Sequence, residues 1–234
     1  MFSKTMAGSF MLDSVHRRKI LIDLAGLIPA VFGLTSAATA ETAAAGRNLK
    51  IVALGDSLTA GYMLPAEAGF TAVLERALRQ RGHNVSITNA GVSGDTSEGG
   101  LSRLDWALGE GADGVILELG ANDMLRGLDP AVPRRALDTI LERLKARKIR
   151  VLIAGMRASP SLGEDYKRAF DQIYPDLAAK YGAPLYPFFL QGVSGDKSLV
   201  LADGLHPNEA GVAKIVAGIL PSVETLLRSI AGAS

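Results

Sequence analysis

Short apolar runs alternate with amphipathic segments from residue 49 onward, and this alternation constrains the fold more than any other feature of the chain. Residues 51–54, 85–88, 115–119 and 151–154 read as buried strands, and residues 185–188 as a weaker fifth strand that Pro187 moves to an edge. Between them, apolar side chains recur at helical spacing. Phe70, Val73, Leu74, Ala77 and Leu78 mark one helix, ended by Gly82. Leu101, Leu104 and Leu108 mark the next, and Leu137, Ile140, Leu141 and Leu144 a third. Tyr166, Ala169, Phe170, Ile173 and Leu177 mark a fourth helix, which Pro175 should bend or interrupt. Val212, Ile215, Val216 and Ile219 begin a last helix, with Pro221 as the place for a kink. Strands alternating with helices imply a parallel sheet covered on both faces, and right-handed crossovers make it a doubly wound, three-layer α/β/α sandwich with five parallel strands. A chain of 234 residues, 48% hydrophobic, is enough for one such domain, expected over 49–234.

The N-terminus has a different composition. His16-Arg17-Arg18-Lys19 precedes an apolar stretch at 20–34, and small residues end in Ala38-Thr39-Ala40. That order is the charged, apolar and small-residue pattern of a secretory signal peptide. Cleavage is expected after Ala40, with 41–48 as a linker to the domain. A retained anchor is the competing reading. The stretch is short for a bilayer, however, and Asp23 and Pro29 interrupt it, so no stable membrane span is expected. The arginine pair is shared with twin-arginine leaders, although its neighbours do not complete that motif, and Met11 offers a shorter leader. Periplasmic delivery is the expected destination. Losing residues 1–40 removes Lys4, Arg17, Arg18 and Lys19 together with Asp13 and Asp23, leaving a chain close to neutral. With no basic stripe, nucleic acid is excluded as a partner. Having no cysteine, the chain can form no disulfide and carry no thiolate nucleophile.

In open α/β sheets ligands bind beyond the carboxyl ends of the strands, and the polar motifs collect there. Gly55-Asp56-Ser57 follows the first strand, Gly91 to Thr96 the second, and Gly120 to Asp123 the third. The pentapeptide Gly-Val-Ser-Gly-Asp at 91–95 returns at 192–196, but two isolated copies do not make a repeat. Of three histidines, His16 falls in the leader and His83 in a polar connection where a solvated side chain is expected, so a histidine-dependent hydrolase would have to use His206. Asp203, three residues earlier, can fold back across a turn opened by Gly204 and hold one ring nitrogen. The same segment also reads as a polar loop before the last helix, opened by Pro207 or Asn208. Ser57 has the position of a nucleophile at a strand-to-helix turn, and equally that of a helix cap. A Lys-Ser/Thr pair for a phosphate loop and the Gly-x-Ser-x-Gly elbow are both missing. Gly94 and Asn122 could complete an oxyanion hole with the Ser57 N–H, although each also reads as a turn residue.

Together, Gly55-Asp56-Ser57-Leu58, Gly94, Gly120-Ala121-Asn122-Asp123 and Asp203-Gly204-Leu205-His206-Pro207 resemble the four blocks of the SGNH/GDSL hydrolase superfamily, in order. Ser-Gly-Asp-Thr at 93–96 and the run from Asn122 to Gly127 are similar to its bacterial arylesterase, acyl-CoA thioesterase I and lysophospholipase branch. The resemblance implies a flavodoxin-like sandwich and a serine esterase acting on small ester or thioester substrates without metal or cofactor. At matching positions it implies Ser57 as nucleophile, His206 as base, Asp203 as its orienter, and Ser57, Gly94 and Asn122 as oxyanion donors. The 156–163 loop departs from the family and leaves acyl preference open. Met124, Leu125, Met156 and Leu162 lie near strand ends as candidate acyl-pocket residues, or simply as core. A carbohydrate O-acetylesterase and a non-catalytic binding module are the alternatives.

Overall fold

The computed structural model describes residues 46–232. The expected leader, with His16, Met11 and the cleavage position after Ala40, and most of the linker lie outside the described residues. Five parallel strands form one sheet: β1 (Leu49–Gly55), β2 (Val85–Gly91), β3 (Gly114–Glu118), β4 (Arg150–Ala154) and β5 (Leu185–Tyr186), in the order β2-β1-β3-β4-β5. β1, β3 and β4 are buried along nearly their whole length because helices cover both faces, whereas the edge strand β2 is partly exposed. β5 is shorter than residues 185–188 because Pro187 has no N–H to continue the ladder.

Nine α-helices connect the strands among the described residues: α1 (Ser57–Ala60), α2 (Phe70–Gln80), α3 (Ser97–Ser102), α4 (Leu104–Leu108), α5 (Ala121–Leu125), α6 (Ala131–Ala146), α7 (Glu164–Asp171), α8 (Ile173–Tyr181) and α9 (Glu209–Ala231). α2 packs with α9, which lies along β3, β4 and β5, while α6 packs with α3, α8 and β4. In two places a pair of helices stands where the apolar spacing marks one segment, and the second break is the interruption expected of Pro175. The Leu101–Leu104–Leu108 segment breaks at Arg103 (φ −107°), whose side chain turns back to the strand ends. The Tyr166–Leu177 segment breaks at Gln172, because Pro175 has no N–H to offer the carbonyl of Asp171. α9 runs on through Pro221 as one helix. It is long and apolar enough to cross a bilayer, yet Val212, Ile215, Ile219, Val223 and Leu226 are buried against the sheet and α2. Burying each such side chain stabilises the fold by roughly 1.5–3 kcal/mol. His83 is not simply solvated: its Nε2 lies 3.5 Å from the Glu224 carboxylate on α9.

The strand order places the first reversal of direction between β1 and β3, where open sheets form their binding crevice. Gly55 at the end of β1 pairs with Gly91 of β2 on one side and with Glu118 of β3 on the other. Three strand ends therefore stand side by side. The approach of α1 to β2 there is too tight for a side chain, since a Cβ on Gly91 would lie 2.3 Å from the Ala60 nitrogen and 2.8 Å from the Asp56 carbonyl. Gly91→Ala should destabilise the protein by about 1–3 kcal/mol, as measured by urea unfolding.

Candidate active site

Asp56, not Ser57, caps α1. Its Oδ1 accepts the Leu58 N–H at 3.0 Å, which leaves the Ser57 hydroxyl free of that duty. Ser57 Oγ instead lies 2.8 Å from His206 Nε2, and His206 Nδ1 lies 2.7 Å from Asp203 Oδ2. The other oxygen of Asp203 accepts the backbone N–H groups of Leu205 (2.9 Å) and His206 (3.0 Å), across a turn in which Gly204 has φ +72°. Those bonds, with the one from the imidazole, hold the Asp203 carboxyl down to about 2, so it stays charged throughout the neutral range. The loop is closed by Leu201 N–H donating to the His206 carbonyl (2.7 Å) and by Asn208, which caps α9 through Gly211 N–H (3.0 Å).

A cavity of about 630 Å³ opens beside Ser57 and His206. Asn122 lines it, and so do Met124, Leu125, Met156 and Leu162. Gly94 is outside that lining, in a turn of type II geometry (φ +85°) where Asp95 N–H donates to the Val92 carbonyl. The second Gly-Val-Ser-Gly-Asp copy makes the same turn, with Gly195 at φ +85° and Asp196 N–H donating to the Val193 carbonyl. The shared pentapeptide thus encodes a shared turn. Among the described residues, no group of three or more carboxylates and imidazoles is placed to hold a metal ion.

Several side chains around this constellation were not singled out from the sequence. Arg103 bonds Asp95 through Nε (2.6 Å), the Ala90 carbonyl through Nη1 (2.8 Å) and the Gly55 carbonyl through Nη2 (2.9 Å), tying the turn to two strand ends. Arg126 donates to the Gly94 carbonyl at 2.7 Å. The Tyr62 ring lies 4.4 Å from the His206 ring, centroid to centroid. Behind Ser57, Glu118 is fully buried: Oε2 accepts Thr59 Oγ1–H at 2.7 Å and the Asp56 N–H at 3.4 Å, while Oε1 has no hydrogen-bond partner. Burial, and then the charge of Asp56, push the Glu118 carboxyl well above its ordinary range. Burial also raises Asp56 to about 6, although the Leu58 N–H, His206 and the Asn122 amide pull it down. The Asn122 side-chain N–H reaches Asp56 Oδ2 at 3.1 Å, so Asp56 joins the cap of α1 to the amide of α5.

An α/β sandwich with a Ser–His–Asp hydrogen-bonded chain at its switch point defines a serine hydrolase by class. The chain belongs to the GDSL-like lipase/acylhydrolase family, which it matches over residues 53–214, and it is a carboxylic ester hydrolase. It is 36% identical to esterase TesA of Pseudomonas aeruginosa over 195 residues, covering 83% of this chain and 93% of that protein. It is 40% identical to the thioesterase 1/protease 1/lysophospholipase L1 of Escherichia coli strain K12 over 167 residues, 71% of this chain and 78% of the relative. Among solved structures, AlinE4, described as an SGNH-hydrolase family esterase, superposes with a TM-score of 0.66 at 48% identity, covering 77% of this chain and 97% of that one.

The raised Asp56 carboxyl gives a test with a defined sign. Folding holds its proton more tightly than the unfolded chain does, so the contribution of Asp56 to stability should fall as pH rises from about 4 to about 6 and then level off. Asp56→Asn lacks that penalty. Relative to wild type it should gain stability between pH 4 and 7, by no more than about 3 kcal/mol, as read from urea unfolding. It should also lose about tenfold or more in kcat, because its amide turns a donor toward the Asn122 donor.

Proposed function

We propose that Ser57 attacks the ester carbonyl, with His206 as general base and Asp203 holding the imidazole in the tautomer that accepts the proton. The observation that carries this reading is the continuous chain from Asp203 through His206 to Ser57, with contacts of 2.7 and 2.8 Å at the mouth of the cavity. The N–H groups of Ser57 and Gly94 and the side-chain amide of Asn122 stabilise the oxyanion. Asn122 has one amide hydrogen bound to Asp56 and a second available to substrate. The collapsing tetrahedral intermediate takes the proton from His206 onto its leaving group. Water then enters, gives its proton to His206, and releases the acid from the acyl-serine.

The acyl chain lies against Met124, Leu125, Met156 and Leu162. Exposure of Leu125 (56%) and Leu162 (36%) supports a role in substrate contact over one in the core, whereas Met156, 3% exposed, belongs to the core as well as to the cavity lining. This apolar lining favours alkanoyl esters, including thioesters and lysophospholipids, over acetylated carbohydrate, whose sugar would need a polar cleft. We place the enzyme in the periplasm, reached by a leader removed after Ala40.

On p-nitrophenyl acetate and hexanoate, Ser57→Ala should lose at least ~10³-fold in kcat, and Asp203→Asn about 10²–10⁴-fold. Equal activity in wild type and Ser57→Ala would overturn the assignment of the nucleophile. Faster release of acetate from acetylated xylan than of hexanoate from its ester would overturn the substrate class. The intact mass of protein recovered from the periplasm should correspond to a chain beginning at Glu41.

A further inference from the structure

The arginines near the site differ in how they are engaged. Arg103 is held by three acceptors, and Arg126 by the Gly94 carbonyl. Arg157, in the loop that follows β4, is exposed and lines the same cavity as Ser57 and His206. Its guanidinium carbon lies 5.5 Å from the centroid of the Phe188 ring, which also lines the cavity. That distance is within cation–π range, and the contact leaves the guanidinium N–H groups without a hydrogen-bond partner. Among the described residues, no carboxylate or carbonyl takes up their fork. The single carboxylate lining the cavity is Asp56, which is buried and turned toward Leu58 and Asn122.

The same loop brings further polar groups. Ser159 Oγ and Ser161 Oγ lie 2.8 Å apart, and both residues line the cavity. The wall therefore has an apolar part suited to an acyl chain and a polar arm carrying a positive charge without a counter-ion. A planar guanidinium fork fits two oxygens of one anion, phosphate above all. The reacting carbonyl belongs at Ser57 and the alkyl chain on the apolar part, so an anion at Arg157 belongs to the leaving group.

Building on the esterase reading, we propose that Arg157, with Ser159 and Ser161, forms an anion subsite selecting acyl esters or thioesters whose leaving group carries a phosphate. Two sources share that chemistry, a glycerophospholipid headgroup and the nucleotide phosphates of a coenzyme A thioester. Matched substrate pairs separate them: octanoyl-coenzyme A against S-octanoyl-pantetheine, and 1-octanoyl-lysophosphatidylcholine against monooctanoylglycerol. All are assayed with the full enzyme at low salt.

Arg157→Gln should lower kcat/KM for a phosphate-bearing member about 10- to 100-fold, mainly through KM and at least ten times more than for its neutral partner. Arg157→Lys should recover part of the preference, and added salt should weaken it in wild type. A differential loss in either pair supports the subsite and identifies its source. Equal losses for both members of both pairs overturn it. If Arg157→Gln does not fold, inhibition of wild-type p-nitrophenyl octanoate hydrolysis by free coenzyme A and by glycerophosphocholine decides the matter. Salt-sensitive competition by either supports the subsite, and none by both overturns it. Failure of wild type to hydrolyse p-nitrophenyl octanoate would instead overturn the esterase reading beneath it.

Discussion

The pairing of Gly55 with Gly91 on one side and Glu118 on the other is the constraint from which the site follows. Because β1 lies between β2 and β3, the loops leaving all three strands rise from one place. A serine, a glycine turn and an asparagine, 37 and 28 residues apart in sequence, thereby become neighbours above one sheet edge. Small residues make this possible. Gly55 leaves room for Thr59 and Glu118, and Gly91 leaves room for α1, so the first helix sits directly over the strands that aim it.

Beneath Ser57 this close approach is held by polar groups instead of apolar packing. Arg103 ties the ends of β1 and β2 to the Val92–Asp95 turn, and Glu118 and Asp56 hold α1 and α5 together from below. Two carboxyls packed out of water are unfavourable for stability. Both collect donors, Glu118 from Thr59 and the Asp56 N–H, and Asp56 from Leu58 and Asn122, and burial shifts both carboxyls away from the charged form. The base of the site is thus rigid at some expense to the fold, a division often met where geometry must be fixed for chemistry.

Most of the architecture was legible in the chain because periodicity is a local signal. Ile51, Leu74, Ile140 and Ile215 all lie in the core their spacing implies. The interruption expected of Pro175 is present, and elsewhere a single residue overrode the pattern: Pro187 cut short β5, and Arg103 broke a helix by reaching back to the strands. At the site, Ser57, His206, Asp203 and Asn122 stood out because each carries a distinctive group in a polar motif. Glu118 and Arg157 did not, because their meaning depends on neighbours distant in sequence. An acid ending the apolar run Gly114-Val115-Ile116-Leu117 was the one local sign that something unusual lay under the serine.

The loop that carries Asp203 and His206 is closed on itself, by Leu201 with His206 and by Asn208 at the head of α9. Asp203 and His206 are three residues apart, whereas Ser57 is 149 residues from His206. Half of the proposed machinery is therefore assembled by local chain geometry, and the other half only when the C-terminal helix docks on a finished sheet. With the proposed triad, turnover is a readout of global completion: a chain with its secondary structure formed but α9 undocked has its imidazole oriented by Asp203 and no serine hydroxyl beside it.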